Sequence, residues 1–327
     1  MVEDKKLLLQ ESAYEGPYSE EPTALQSLKK QLKSATNSKR DFSDFLFKIL
    51  LGVITIIIIT PFFLIFFQVA DVARFVFFGN GEGEGIDFLF TLPTEAEEPL
   101  NGGIANSIVG SILLCAIAGS LGIPLSVFGA VYISEYTRAG KLRSAIEFGA
   151  DVLAGIPSIV FGAFGLALFV DGLHLGMGLF SGGMTLAFMM IPTILRTTQE
   201  ALRQVPISLR EASLALGATK WTTTWRITIR AAFPGIITGV LLAIGRIIGE
   251  TAPLLFTSGN SLGFPGAIIG SASWVASLPY TIYLYVSDPR DYLNQKASAA
   301  ALTLLLIVLV IDLIANYISR KVTRRVV

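Results

Sequence analysis

"EASLALGATKW", Glu211 to Trp221, is a short polar stretch with a glycine near its centre, set between two long apolar runs. Its own signals predict a helix, a bend and a second helix. Pro206 and Ser208 suit a helix start, proline in the first turn and serine as a cap. Glu211, three residues after Ser208, fits the pattern of a capping box. Ala212, Leu214, Ala215 and Leu216 are strong helix formers. Gly217 then ends or bends the helix, since glycine turns left-handed at little steric cost. Trp221 and Trp225, four apart, give the second stretch one aromatic face, with Thr222 to Thr224 on the other side. The exposed face of the first helix carries side chains small enough for another protein's groove to close on. Such a helix belongs in water at the foot of membrane spans, so its flanks decide the fold.

The flanks are built for hydrocarbon. The chain has 327 residues, 52% hydrophobic and 15% charged, with a mean hydropathy of +0.64. That is too apolar for a soluble domain of this length. A hydrocarbon core of about 30 Å takes roughly 20 apolar residues per helix. Six stretches meet that length: 45–69, 106–132, 146–170 (interrupted at Pro157), 178–195, 231–257 and 297–318. A very short turn through Asp171, Gly172, His174 and Gly176 demands antiparallel neighbours. Segment 259–291 has apolar stretches shorter than a span, broken by Gly and Pro, and reads as a re-entrant or interfacial excursion. The prediction is an all-α membrane protein of six transmembrane helices. Residues 1–44 read as a disordered tail with a short helix near 25–33. Residues 45–70 form the first transmembrane helix and 71–105 an acidic outer loop. The membrane domain follows over 106–319 with its loop at 206–230, and 320–327 is a basic end.

Charge gives the orientation. Twenty-one of the 25 lysines and arginines lie before residue 49, in 138–143, in 196–230 or from Arg320 onward. The positive-inside rule then places both termini in the cytoplasm. The 71–98 loop, with Asp71, Glu82, Glu84, Asp87, Glu95, Glu97 and Glu98, faces out. Cys115 is the single cysteine and His174 the single histidine, so neither a disulfide framework nor a metal cluster is expected. There is no G-x₄-G-K-[ST] pattern, and this chain cannot hydrolyse ATP by that route. No nucleophile–base pair stands at membrane depth, and the chain is expected to be no enzyme. Membrane lipid is its surrounding, and no nucleic-acid partner is expected.

Two charges fall inside the fifth span. Arg246 and Glu250 are four apart and are expected to share one helix face. An arginine at a helix centre costs roughly 2.5–3.5 kcal/mol on insertion scales. One reading is a mutual salt bridge that makes both charges tolerable. The other is an anion site, because a guanidinium fork matches phosphate oxygens. Arg196, at the inner end of the fourth span, reads either as an orientation anchor or as part of a translocation path. Asp151 and Asp312 lie in apolar runs where either could pair with a neighbouring helix, and Asp312, near an inner end, could instead reach water. Asn106 suits a cap on the second span.

Glu211-Ala212-Ser213, then Gly217, then Ile227, resembles the E-A-A-x₃-G-x₉-I-x-L-P loop of ABC importer permeases. Ser213 stands where the motif has its second alanine. The motif's L-P falls on Ile229-Arg230, with proline only at Pro234. PSIVFGAFGLALFV at 157–170, IPTILRTTQEALRQVP at 191–206 and GRIIGETAPLLFTSG at 245–259 resemble the phosphate importer permeases of PstA type. The similarity covers about 106–318. It implies a type I importer transmembrane domain whose Glu211, Ala212, Ser213 and Gly217 form a coupling helix docked on a cytoplasmic ATPase. It implies an anion path through Arg246, Glu250 and Arg196. The implied partners are a PstC-type permease completing a heterodimer, two PstB-type ATPases and a PstS-type binding protein. No cofactor is expected in this chain, ATP and Mg being held by the ATPase. A channel or secondary transporter for an inorganic anion, working without ATP, is the alternative from another class.

Overall fold

The structure, a computed structural model, describes residues 23–78, 85–93, 102–138, 140–270 and 273–326. The described residues are helical with connecting turns. They comprise α1 (Thr23–Phe78), α2 (Ala105–Val131), α3 (Lys141–Gly155), α4 (Ser158–Gly165), α5 (Leu179–Arg203) and α6 (Ile207–Ala215). Then come α7 (Lys220–Thr223), α8 (Ile229–Ile248), α9 (Ala252–Thr257), α10 (Leu278–Ser287) and α11 (Asp291–Val326). Three π segments extend helices without breaking them: Tyr132–Tyr136 after α2, Leu166–Gly172 after α4, and Thr224–Thr228 joining α7 to α8. Among the described residues, five helices are long and apolar enough to cross a membrane. The pair Lys141–Gly155 and Ser158–Gly172, bent by 105° at its break, makes a sixth if it is one span. Pro157 is the N-cap of α4, where its missing N–H and fixed φ stop the incoming helix.

The chain divides into residues 1–65 and 66–327. In the first unit, the described side chains from residue 44 onward are exposed. The second unit holds the bundle. Its centre is α5 against α2 on one side and α8 on the other, with α11 beyond α8. Leu114 of α2, Leu186, Met190 and Ile194 of α5, and Ala243 and Ile247 of α8 form its core. Between membrane helices, packing and close backbone approach hold the contact rather than water exclusion. Gly239 shows this: a Cβ there would fall 1.9 Å from Thr197 Oγ1. At the far end from α6, segment 258–278 is held onto the helix ends. Val275 N–H donates to the Ser258 carbonyl at 3.2 Å, and Leu278 N–H donates to Ser111 Oγ at 2.8 Å. Among its described residues that segment has no helix long and apolar enough to be a span.

Several boundaries differ from the sequence reading. The tail expected to be disordered to residue 44 is helical from Thr23, while residues 1–22 lie outside the described residues. Helix α1 runs on to Phe78, so Asp71 and Arg74 are an ion pair on it at 3.2 Å, not loop residues. Of the predicted acidic loop, 79–84 and 94–101, with Glu82, Glu84, Glu95, Glu97 and Glu98, lie outside the described residues. The basic end is helical to Val326. The fifth span stops at Ile248, where Gly249 caps it, and α9 is a separate helix. Pro234 lies inside α8. The distortion near it is the π segment six residues before, since a π turn absorbs an extra residue that an α-helix cannot. Asn106 does not cap α2; Ile104 is the N-cap, and Asn106 Nδ2 donates instead to the Ser261 carbonyl at 2.6 Å.

Candidate functional site

Helix α6 begins at Pro206 with no side-chain cap, so the Ser208–Glu211 capping box does not form. Proline presets the helical entry, and Ser208 lies two residues past the cap position. The C-terminus is as the glycine predicts. Gly217 has φ +83°. Its N–H donates to the Leu214 carbonyl at 2.9 Å, and Ala218 N–H donates to the Ser213 carbonyl at 3.2 Å. That pair of bonds is a Schellman closure. Thr219 then caps α7, its hydroxyl accepting from Thr222 N–H at 3.3 Å. Ser213, where the resemblance expects alanine, shares a 2.9 Å hydrogen bond with Thr223 across the bend.

This hinged pair is exposed yet tied down. No residue of α6 is buried, and Leu216 and Trp221 are 89% and 62% exposed. Beneath, Arg210 Nη2 stands 2.9 Å from Glu135 Oε1 of the π segment after α2 and donates to the Leu202 carbonyl of α5 at 2.7 Å. Lys220 lies over the Tyr136 ring at 5.2 Å. Trp221, Trp225 and Phe128 form a ladder with centroids 5.2 and 6.0 Å apart, running from the exposed loop to α2. Helix α6 is therefore tied to the end of α2 and to α5 through Arg210, and across the bend to α7 through Ser213.

The basic residues at this end are also engaged across helices. Glu147 of α3 accepts from Arg143 at 3.1 Å and from Arg203 of α5 at 3.0 Å. Asp151 of α3 accepts from Arg196 Nε of α5 at 2.6 Å, with Nη2 also in contact. In the sequence these arginines read as orientation charges, Arg196 also as part of a translocation path, and Asp151 only as able to pair with a neighbouring helix. The Glu135–Arg210 and Glu147–Arg203 pairs span 75 and 56 residues, beyond any local signal.

Arg246 and Glu250 do pair, though not on one helix face. Arg246 is in the last turn of α8, whereas Glu250 follows the Gly249 cap outside the helix. The pair is loose, Nε to Oε1 at 3.6 Å, with Arg246 42% exposed at its side chain. Arg196 and Arg246 are not brought together. Gly239 abuts Thr197 and Gly235 abuts Ala201, so α5 and α8 run antiparallel. That register sets Arg246 level with the middle of α5. At 1.5 Å per residue, Arg196 lies about 9 Å nearer the α6 end.

Residues 122–324 match the family described as binding-protein-dependent transport system inner membrane component. The chain belongs to this family, as a PstA-type permease. It is 39% identical to the phosphate transport system permease protein PstA of Yersinia pestis over 233 residues, 71% of this chain and 78% of that one. It is 38% identical to PstA 1 of Mycobacterium tuberculosis (strain CDC 1551 / Oshkosh), over 70% of this chain and 74% of that one. Among solved structures, the permease resembles a bacterial alginate ABC transporter in complex with an alginate-pentasaccharide-bound periplasmic protein. There the TM-score is 0.62 at 20% identity, covering 88% of this chain and 97% of that one. A methionine ABC transporter, MetNI, in an inward-facing conformation matches with a TM-score of 0.53 at 19% identity, over 67% of this chain and 94% of that one. These likenesses show the fold, that of a type I ABC importer transmembrane domain. The permease is thus a membrane component of a binding-protein-dependent transport system.

Proposed function

We propose that the permease is the transmembrane subunit of an ATP-driven phosphate importer, with both termini in the cytoplasm. The observation that carries this is the Gly217-hinged α6–α7 pair, exposed on one side and bonded to the helix ends on the other. Exposed apolar side chains in a polar loop mark a protein-docking surface. An ATPase cleft closing on Glu211, Ala212, Ser213 and Gly217 would drive α2 through Arg210 and the tryptophan ladder, α5 through Arg210, and α8 through the π segment that joins it to α7. Phosphate as cargo is supported by the two PstA relatives and by the guanidinium of Arg246 at the middle of the bundle. Glu250 completes the anion path. Arg196 belongs at its inner mouth, with its charge balanced by Asp151. The partners in this reading are a PstC-type permease, two PstB-type ATPases that hold ATP and Mg, and a PstS-type binding protein. The acidic residues of 71–98 oppose gathering anions from bulk by steering, and a binding protein that delivers the anion removes that conflict.

The test is purification of the tagged chain from native membranes, with co-purifying subunits identified by mass. An ATPase and a second permease are expected. A chain that purifies without any ATPase would instead support an ATP-independent anion carrier or channel.

A further inference from the structure

Asp312 of α11 is an ionisable group that the reading above does not use. Its carboxylate lies against α8, where a Cβ built on Gly245 would be 3.5 Å from Oδ1. Gly245 is level with the centre of the bundle by the α5–α8 register, so Asp312 is deeper than its place in the sequence suggests. It has no ion pair and no hydrogen bond among the described residues. Asp312 is exposed on this chain, and an acidic side chain at membrane depth faces a wet cavity or a partner and marks a function by default. It faces a groove of about 400 Å³ between α8 and α11, which continues past Thr238, Asn316 and Ser319 toward the α6 end.

The cation within reach is Arg246, the next residue along α8. Successive Cα atoms are about 3.8 Å apart, so the Asp312 carboxylate lies within roughly 9 Å of the Arg246 Cα. That is inside the reach of an arginine side chain and one hydrogen bond. The present partner holds Arg246 weakly: Glu250 is at 3.6 Å and sits beyond Gly249, free of the helix that carries the arginine. Along α8 the two carboxylates lie on either side of Arg246 in the chain, Glu250 past the C-terminal end of the helix and Asp312 beside Gly245.

We propose that Asp312 is the second counter-ion of Arg246, and that the guanidinium alternates between Glu250 on the outer side and Asp312 on the inner side during transport. This rests on the phosphate-import reading. An anion bound to Arg246 leaves behind a positive charge at membrane depth. Asp312 balances that charge as the anion departs inward, and so speeds release. Asp312 is a positioning residue: it acts on the anion through Arg246.

The test is phosphate uptake by the intact transporter, purified with its co-purifying subunits and its binding protein into proteoliposomes. Asp312→Asn removes the counter-charge and should lower kcat for uptake about tenfold with KM unchanged or lower, the signature of slowed release rather than lost binding. Asp312→Glu should recover most of the rate. Gly245→Val, which pushes the carboxylate off α8 without changing charge, should reproduce the Asn phenotype. ATPase stimulation by the loaded binding protein, retained in each variant, reports an assembled complex. Wild-type uptake in Asp312→Asn, or a loss that raises KM with kcat intact, or a loss that Glu does not recover, overturns the proposal alone. A wild-type complex that imports no phosphate overturns the import reading and this proposal together.

Discussion

Arg246 is where the chemistry and the membrane cost meet. Its fork geometry is the property at stake, so Arg246→Lys, which keeps the charge, should lose uptake because an ammonium cannot reproduce two parallel donors. Uptake near wild-type would show that only charge matters there. The double variant Arg246→Gln with Glu250→Gln separates a structural pair from an anion site, since two amides replace the pair and neither member of it is left charged. We expect normal insertion and retained ATP turnover but poor uptake; uptake within about twofold of wild-type would make the pair structural. Packing can be tested at Gly239, remote from the charges. A leucine there must displace Thr197, and overpacking of this kind costs about 1–3 kcal/mol. Thermal unfolding in detergent should move down measurably, and an unchanged midpoint would contradict the close α5–α8 approach. The Arg246–Glu250 spacing announced an ion pair in the sequence. The helix end between them did not show, because Gly249 inside an apolar run reads equally as packing or as a stop.

Elements differ in how openly they were written. Helix α6, its glycine closure and the Trp221–Trp225 face follow from residues within one or two turns of each other, and the structure holds them. The 105° break at Pro157 follows from proline chemistry in the same way. The π segments were not legible, since nothing in the composition of Thr224–Thr228 distinguishes a five-residue turn from an ordinary one. The length of α1 was missed for a different reason: polar residues after Thr23 cannot bury a core, but they can extend a helix nucleated by the apolar run beyond them. Gly217→Pro tests the coupling element. Proline removes the N–H that bonds Leu214 and cannot reach φ +83°, so the closure is lost. Assembled complexes should form in normal amount yet fail to transport, and transport near wild-type would remove the coupling role from this helix.

Both ends of the bundle were visible in the sequence, and the linkage at the α6 end was not. Apolar run lengths gave the spans, and basic residues marked the α6 end. The ties that make that end one body, Glu135–Arg210, Glu147–Arg203 and Asp151–Arg196, join residues far apart in the chain and needed the fold to be seen. They leave α6 little freedom to move without α2, α3 and α5, which is what an ATP-driven stroke requires of a transmembrane subunit. The most direct test follows from that linkage. Radiolabelled phosphate uptake and ATP turnover are measured together in proteoliposomes holding the purified complex and its loaded binding protein. Uptake should require ATP and rise with hydrolysis, and both the requirement and the uptake should vanish in Gly217→Pro. Phosphate accumulation without ATP, or undiminished in that variant, would contradict the account.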